Sequence, residues 1–556
     1  MGSLSNSHDI FKKYCSYILL ATLVIIVSLI TYYRIKIQID IGPIWDTYDF
    51  LSNALLFAGQ GTGYSDLTRP PVLSFLTSIL FRLGYTYSTS IFIIDGLLFI
   101  FGVIGLFLLL KIQFNDTLSF LGSLLYATFP IVISFVGVGL SDISSVSFTI
   151  WAIYFTILAV KRNSKFFYLS FPLMMLAFLT RYPSALIIFP AALYILINMK
   201  SVKIKDAIIG ISASLLLLIP VLIFFYEVFG NPFYSFLNFF GSSSGTVSTG
   251  TFTYNSNIFY FIEQLPSFIG AQGVTVFIIT ILCFIMYEFM NFKRSKSKKL
   301  FNIPQIDKNT KIKLILFTIL TLVFLGTFGR LFWMESEVLF FLMGYISYNL
   351  SKNLNIKNID IHLLIFTWFM AFFIFHSVYV IKDDRYFVTM APAVVYFLIF
   401  GLNTISNRIE LKIKNINVTS YLFSIILISM IFVSLTFYLP GIQEENNNHK
   451  IVDENIGLAS QWLTNYDQDY KNKVIYSDLW PYSGWYLKTN VKITPTSKDG
   501  QRYYGDIKNY TFSQQDFNNF LVNNNAYYYF SILHRLNLTS YQPIKQFGNV
   551  TIYKKL

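Results

Sequence analysis

The sequence predicts an α-helical polytopic membrane protein of about thirteen transmembrane helices, followed by a small extracytoplasmic α/β domain. Three observations carry this. Of the 556 residues, 54% are hydrophobic and 13% charged, against roughly a quarter charged in a soluble globular chain; the mean hydropathy is +0.55. The apolar residues fall in blocks of roughly 15–23, the length that crosses a hydrocarbon core. Beyond residue 440 the blocks stop and the chain becomes polar, rich in Asn and Tyr.

The expected spans are 14–33, 89–110, 117–136, 143–160, 166–180, 184–199, 207–226, 272–290, 312–329, 336–350, 361–380, 386–402 and 418–438. The first follows a polar leader with Lys12 and Lys13. It is long and lacks a small-residue cleavage site, so it reads as a retained anchor rather than a removed signal. The net charge of +13 would suggest a nucleic-acid partner if it formed a patch. Instead the basic residues cluster in alternate short loops: Lys161/Arg162/Lys165, Lys200/Lys203/Lys205, Lys293 to Lys299, Lys308 to Lys313 and Arg408/Lys412/Lys414. That is positive-inside patterning. It predicts a cell-membrane protein with a cytoplasmic N-terminus, an extracytoplasmic C-terminus and no nucleic-acid partner. Cys15 and Cys283 both fall inside expected spans, which argues against a disulfide or a cysteine metal site. The 19% aromatic content reads first as lipid-facing packing.

Residues 1–440 form the membrane domain, whose first outer loop is 34–88. Within it, 72–83 is apolar but too short to span and starts after Pro70-Pro71, where proline suits a first helical turn. It reads as an interfacial helix. So does 49–58, which ends at the turn Gly59-Gln60-Gly61-Thr62-Gly63. A second outer loop, 227–270, contains Gly241-Ser-Ser-Ser-Gly245 and reads equally as a lid over a site or a linker. Residues 441–556 suffice for one small domain. Apolar spacing predicts a helix over 451–466 and strands at 473–477, 491–493, 526–533 and 550–553. The sequons at Asn509, Asn537 and Asn549 lie in this domain, as an external location allows.

Ionisable residues at a membrane edge are functional candidates by default. On the expected outer side they are Asp40, Asp46, Asp49, Asp66, Arg69, Asp142, Arg181, Arg330, Glu335, Glu337, Asp383, Asp384 and Arg385. Taken singly, Asp142 reads equally as a helix N-cap and Arg385 as an interfacial anchor. Taken together they suit a phosphate on a lipid tail. Such a group needs a cation at head-group level, and arginine offers a planar fork. Sugar transfer from that donor needs a base for the acceptor hydroxyl. One carboxylate suffices when attack comes from the face opposite the leaving phosphate, and the anomeric centre then inverts. No G-x-G-x-x-G, Walker A or H-E-x-x-H motif is present, and the five histidines lack metal-ligand spacing. His376 reads as a core or interface histidine. Asp383-Asp384 leave a divalent cation (Mg²⁺ or Mn²⁺) open as a cofactor, although adjacent side chains point apart unless the chain turns.

These motifs resemble the GT-C glycosyltransferases of the protein mannosyltransferase and aminoarabinose transferase type, the polyprenyl-phosphate-sugar-dependent families 39 and 83. That group has a first-loop Asp with an aromatic, then a basic residue, Pro-Pro and an apolar helix. Here these are Trp45-Asp46-Thr47-Tyr48 and Arg69-Pro70-Pro71-Val72-Leu73. Leu140-Ser141-Asp142, Thr180-Arg181-Tyr182-Pro183 and Arg385-Tyr386 through Pro392 are similar to its later motifs. The resemblance implies the GT-C fold, with Asp46 as catalytic base, Arg69 and Arg385 binding the donor phosphate, and Asp142 supporting the acceptor or orienting the site. Asp49, Tyr48, Arg181 and Asp384 would be supporting residues. Two departures stand out: Thr47 where the family often has Glu, and Arg69 where it often has Lys. The lost Glu leaves a second acidic role open, with Asp49 as the substitute. The Trp-Trp-Asp signature of oligosaccharyltransferases is absent; Asp478-Leu-Trp480 and Trp485 do not reproduce it.

The expected function is therefore an inverting glycosyltransferase. It moves one sugar from a polyprenyl (dolichyl or undecaprenyl) phosphate to a protein, glycan or lipid acceptor at the outer membrane face. Its other partners are the membrane lipids. The alternatives are a lipid or glycan transporter or flippase, which should show inverted repeats with broken helices, and a polysaccharide ligase or polymerase. The lack of Arg and Lys in 227–270 counts against the latter.

Overall fold

The structure is a computed structural model. It describes residues 2–61, 66–242, 257–295, 307–352, 358–379, 381–408, 412–413, 416–417, 419–494, 514–532 and 536–556. The helices in chain order are α1 (Gly2–Ile41), α2 (Thr47–Phe57), α3 (Val72–Arg82), α4 (Thr89–Leu110), α5 (Asp116–Thr128), α6 (Pro130–Phe135), α7 (Ser141–Lys161), α8 (Phe167–Thr180), α9 (Ile188–Ile197), α10 (Ile204–Phe229), α11 (Tyr234–Ser242), α12 (Tyr260–Glu263), α13 (Leu265–Ser295), α14 (Lys308–Thr327), α15 (Trp333–Ser351), α16 (Ile359–Val378), α17 (Ala391–Arg408), α18 (Thr419–Glu445), α19 (Asn447–Tyr466), α20 (Trp480–Leu487) and α21 (Gln514–Asn523).

Among the described residues, each expected span coincides largely with helix. Among the described residues, eight stretches are long and apolar enough to cross a membrane: Tyr14–Ile41, Thr89–Leu110, Ser141–Lys161, Ile204–Phe229, Tyr260–Ile285, Lys308–Thr327, Ile359–Val378 and Leu422–Glu445. This is a multi-pass membrane protein. The remaining expected spans are shorter helices or are interrupted. The expected span 117–136 is two helices, because Pro130 has no N–H to donate and forces Phe129 out of the helical region (φ −57°, ψ 132°). Span 184–199 begins as a 3₁₀ turn, Tyr182–Ile187, before α9. The two expected interfacial helices are α2 and α3. Of the expected turn after α2, Thr62 and Gly63 lie outside the described residues, as do Ser243 to Gly245 of the second outer loop and the sequon at Asn509.

Two buried polar residues organise the ends of the helices nearest α2. Arg34 of α1 donates from Nε to the Ile133 carbonyl (3.0 Å) and from Nη2 to the Ser134 carbonyl (2.8 Å), filling acceptors that the short α6 leaves open at its C-terminal end. Asp95 of α4 accepts from the Gly137 amide (3.0 Å) and the Ser144 hydroxyl (2.7 Å). Gly137 and Gly139 take φ of +68° and +82°, a region open to glycine but costly for most residues. The resulting turn delivers the chain into α7, and Thr47 at the start of α2 donates to its Val138 carbonyl (3.1 Å).

The C-terminal residues form a five-stranded sheet of β3 (Ile475–Ser477), β4 (Val491–Ile493), β5 (Tyr528–Ser531), β6 (Tyr541–Phe547) and β7 (Val550–Lys555); the two-residue strands β1 (Lys412–Ile413) and β2 (Ile416–Asn417) make a separate hairpin. The order is β4-β3-β5-β7-β6. β3 runs parallel to β4 and β5, with Ile475 opposite Val491 and Tyr528, and the other pairs are antiparallel. β6 was not expected from the sequence. It carries Pro543 and a register irregularity beside it, which an edge strand tolerates. One apolar cluster joins this domain to α2 and α3: Tyr48, Leu51, Leu55, Leu73 and Phe81 pack with Ile456, Leu463, Trp480, Tyr482 and Trp485.

Candidate active site

Three segments that are distant in sequence meet at one end of the helices. The turn between α1 and α2 supplies Asp46, and the first turn of α2 supplies Asp49. The residues before α3 supply Asp66 and Arg69. A 3₁₀ turn, Asp384–Thr389, leads into α17 and carries Arg385. Asp46 sits between two guanidiniums: Arg69 Nη2 lies 2.9 Å from Oδ1 and Arg385 Nη1 lies 3.0 Å from Oδ2. Arg69 also pairs with Asp49 (2.8 Å) and Asp66 (3.3 Å), and Arg385 with Asp383 (3.0 Å). The Asp46 side chain is 24% exposed, so the carboxylate is partly accessible.

Charge decides the state of each carboxyl. Burial would push Asp46 up, but Arg69 and Arg385 outweigh it and hold the carboxyl well below the usual range. Asp49 goes the other way. Its burial, helped by the neighbouring Asp66 and Asp46 and opposed by Arg69, lifts it to about 7. The difference follows from partners: Asp46 has two guanidiniums and Asp49 shares one. A carboxyl lifted in the folded state penalises its ionised form, so the folded protein loses stability as pH rises from the ordinary value of about 4 toward 7. Asp49→Asn removes that slope. Relative to wild type, the difference in its unfolding temperature should be smallest at pH 4 and below and grow in the variant's favour up to pH 8; a constant difference across the range would contradict this.

A second buried pair lies beside the cluster. Arg181 Nη1 contacts Asp142 Oδ1. Asp142 is 1% exposed, and its Oδ2 has no hydrogen-bond partner among the described residues. The residue capping α7 is Leu140, and no side chain caps that end, so Asp142 is not the N-cap that its position also suggested. The Arg181 guanidinium lies 5.2 Å from the centre of the Tyr386 ring, Arg385 lies 5.8 Å from it, and His376 stacks on the same ring at 4.5 Å. Tyr386 thus links the two arginines.

Other predicted residues go elsewhere. The Tyr48 hydroxyl donates to Asp453 of α19. Asp384 accepts from the Tyr260 hydroxyl of α12, while its neighbour Asp383 turns to Arg385. Among the described residues, no three His, Cys, Asp or Glu side chains gather as a metal site. Sequence reasoning passed over Asp95, whose place within the apolar run Phe92-Ile93-Ile94 was itself a signal. It also passed over Tyr482 and Asp453, which no local pattern marks.

Residues 68–224 match the model of the dolichyl-phosphate-mannose-protein mannosyltransferase family. That stretch is under a third of the chain. The matched stretch contains Arg69, Asp142 and Arg181. The fold is similar to that of ArnT from Cupriavidus metallidurans bound to undecaprenyl phosphate, at 11% identity and a TM-score of 0.55 over 96% of this chain and 98% of that one. For the apo state of the same protein the values are 12%, 0.52, 96% and 98%. The archaeal oligosaccharyltransferase AglB from Archaeoglobus fulgidus, in complex with an inhibitory peptide and a dolichol-phosphate, is 12% identical with a TM-score of 0.48, covering 94% of this chain and 70% of that one. No curated protein matches.

Proposed function

We propose that the protein is a GT-C glycosyltransferase that moves a single sugar from a polyprenyl-phosphate donor to an acceptor hydroxyl at the extracytoplasmic face, with inversion. The observation that carries the reading is the placement of Asp46 between Arg69 and Arg385, with the carboxylate partly open. Asp46 takes the proton of the acceptor hydroxyl, and the acceptor oxygen attacks the anomeric carbon. The bond from that carbon to the phosphate oxygen breaks, and the phosphate leaves with the electron pair, neutralised by Arg69 and Arg385. In the resting site both guanidiniums are occupied by carboxylates, which makes Asp46 a poor base. A donor phosphate competes for the same forks and returns basicity to Asp46 when the donor is in place. Arg181 and Asp142 orient the site through Tyr386. The basic loops of the sequence support the extracytoplasmic placement. The acceptor class is protein Ser or Thr, a surface glycan or a lipid.

The test is consumption of radiolabelled sugar from a panel of polyprenyl-phosphate sugars by membranes containing the protein. Dolichyl-phosphate mannose comes first, because the matched family is described by it. We expect transfer or slow hydrolysis of one donor with an inverted anomeric product. Protein that binds these lipids and consumes none of them, or that consumes only lipid-linked oligosaccharides, would sink the reading.

A further inference from the structure

The Asp46 turn carries an unusual backbone. Trp45 has φ +46°, a left-handed conformation that bulky residues rarely adopt and that persists only when the surroundings enforce it. Its indole is 56% exposed, so burial of the side chain does not account for the conformation. Within the turn, the Thr47 amide bonds the Ile44 carbonyl (3.0 Å) and the Tyr48 amide bonds the Trp45 carbonyl (3.2 Å). The Trp45 amide leaves the turn altogether and donates to the Tyr482 hydroxyl of α20 at 3.0 Å.

The C-terminal domain grips both flanks of the same turn. Upstream, Asp40 accepts from Lys450 (2.8 Å) and Gln443 (2.6 Å), and the ring nitrogen of His449 lies 3.0 Å from the Pro43 carbonyl. Gly42 packs so close to Asp453 that an added Cβ would lie 2.5 Å from its carboxylate oxygen. Downstream, Asp453 accepts from the Tyr48 hydroxyl, and the Tyr48 and Tyr482 rings are 4.1 Å apart. The contact at the strained residue itself is Tyr482.

We propose that Tyr482 is a positioning residue for glycosyl transfer: its hydroxyl holds the Trp45 amide and so fixes the direction in which the next residue, Asp46, presents its carboxylate. Asp453 is its partner, anchoring Tyr48 on the other side. The C-terminal domain is then part of the catalytic apparatus and does more than cover it. This rests on Asp46 being the base. It differs from general stabilisation because the bond acts on one backbone unit beside the reacting group, and displacement of a catalytic group by about 1 Å costs up to a hundredfold in rate.

The experiment compares the full-length protein with Tyr482→Phe, using the polyprenyl-phosphate sugar that wild type consumes. The variant should lose about 10- to 100-fold in kcat with KM for the donor within about twofold. Tyr541→Phe is the control: that buried hydroxyl bonds the Ala526 carbonyl within the same domain (2.8 Å) and does not reach the turn, so its kcat should stay at wild type. Trp45→Gly supplies the second readout. Glycine takes positive φ without strain, so removing the Tyr482 hydroxyl in that background should cost under about threefold. Should Tyr482→Phe not fold, Tyr48→Phe is read the same way, with the same kcat-only loss expected. Wild-type kcat in Tyr482→Phe, an equal loss in Tyr541→Phe, or an undiminished effect in the Trp45→Gly background overturns the proposal. Activity in Asp46→Asn, or no donor consumed by wild type, removes the base reading and this inference with it. An inactive Asp46→Asn beside a fully active Tyr482→Phe removes this inference alone.

Discussion

Asp46→Asn should stay folded, bind polyprenyl phosphate at least as tightly as wild type, and transfer sugar about 10³-fold more slowly, the middle to upper range of what a positioned base contributes. Asparagine has the shape of aspartate and can still accept a hydrogen bond from one guanidinium. Arg69 keeps Asp49 and Asp66 as partners, and Arg385 keeps Asp383, so neither arginine is left without a counter-charge. The base is lost outright. The phosphate site is not, because the competitor for its two arginines has been removed. Donor consumption and binding of the bare polyprenyl phosphate, measured on the same preparation, separate the two effects. A variant that transfers sugar at the wild-type rate would show that another group takes the proton. One that fails to bind the lipid would show that Asp46 serves the donor and not the acceptor.

The site's charge makes that binding result informative. Asp46, Asp49, Asp66 and Asp383 face Arg69 and Arg385, an acidic excess around a centre that has to hold an anion. One feature lessens it: Asp49 is pushed up to about 7, so near neutrality much of it carries a proton. Under the proposed mechanism, binding of the donor and activation of the base are coupled through the same two guanidiniums, and an acceptor hydroxyl meeting an empty site would find a weak base.

Much of the membrane half was legible because its signals are local. Apolar length places α4 and α10 directly, and Pro-Pro followed by an apolar run places α3. The break at Pro130 was equally readable, but the long apolar run around it concealed the break. In the site, Asp46, Arg69 and Arg385 could be named from short motifs, and the structure places them within hydrogen-bond distance. The role of Asp142 could not be settled that way: a carboxylate in the first turn of a helix resembles a cap until its partner just beyond α8, Arg181, is known. Tyr482 and Asp453 were out of reach for a different reason. They act across more than four hundred residues, on a backbone amide and a phenol, and neither end has a sequence signature. Edge strand β6 was hidden by Pro543, which counts against a strand everywhere except at a sheet edge.

Arg181→Ala should be the most destabilising single change at the site, by about 3–5 kcal/mol, because it strands a buried carboxylate. Asp142 is 1% exposed and one of its oxygens already lacks a partner, so the protein has little with which to replace the lost guanidinium. The pair as a whole is a different matter. Two buried charges lose hydration that their attraction only about repays, so replacing both with apolar residues of similar volume is often neutral or stabilising. Arg181→Met with Asp142→Leu should therefore recover most of the stability lost in Arg181→Ala, as read from unfolding in detergent. Its activity then shows why the pair exists. The Arg181 guanidinium lies over Tyr386, next to Arg385, so a stable but inactive double variant would mean that the pair sets the geometry of the phosphate site. A stable and active one would reduce it to a structural contact, and a single Arg181→Ala variant as stable as wild type would show that Asp142 carries no charge to strand.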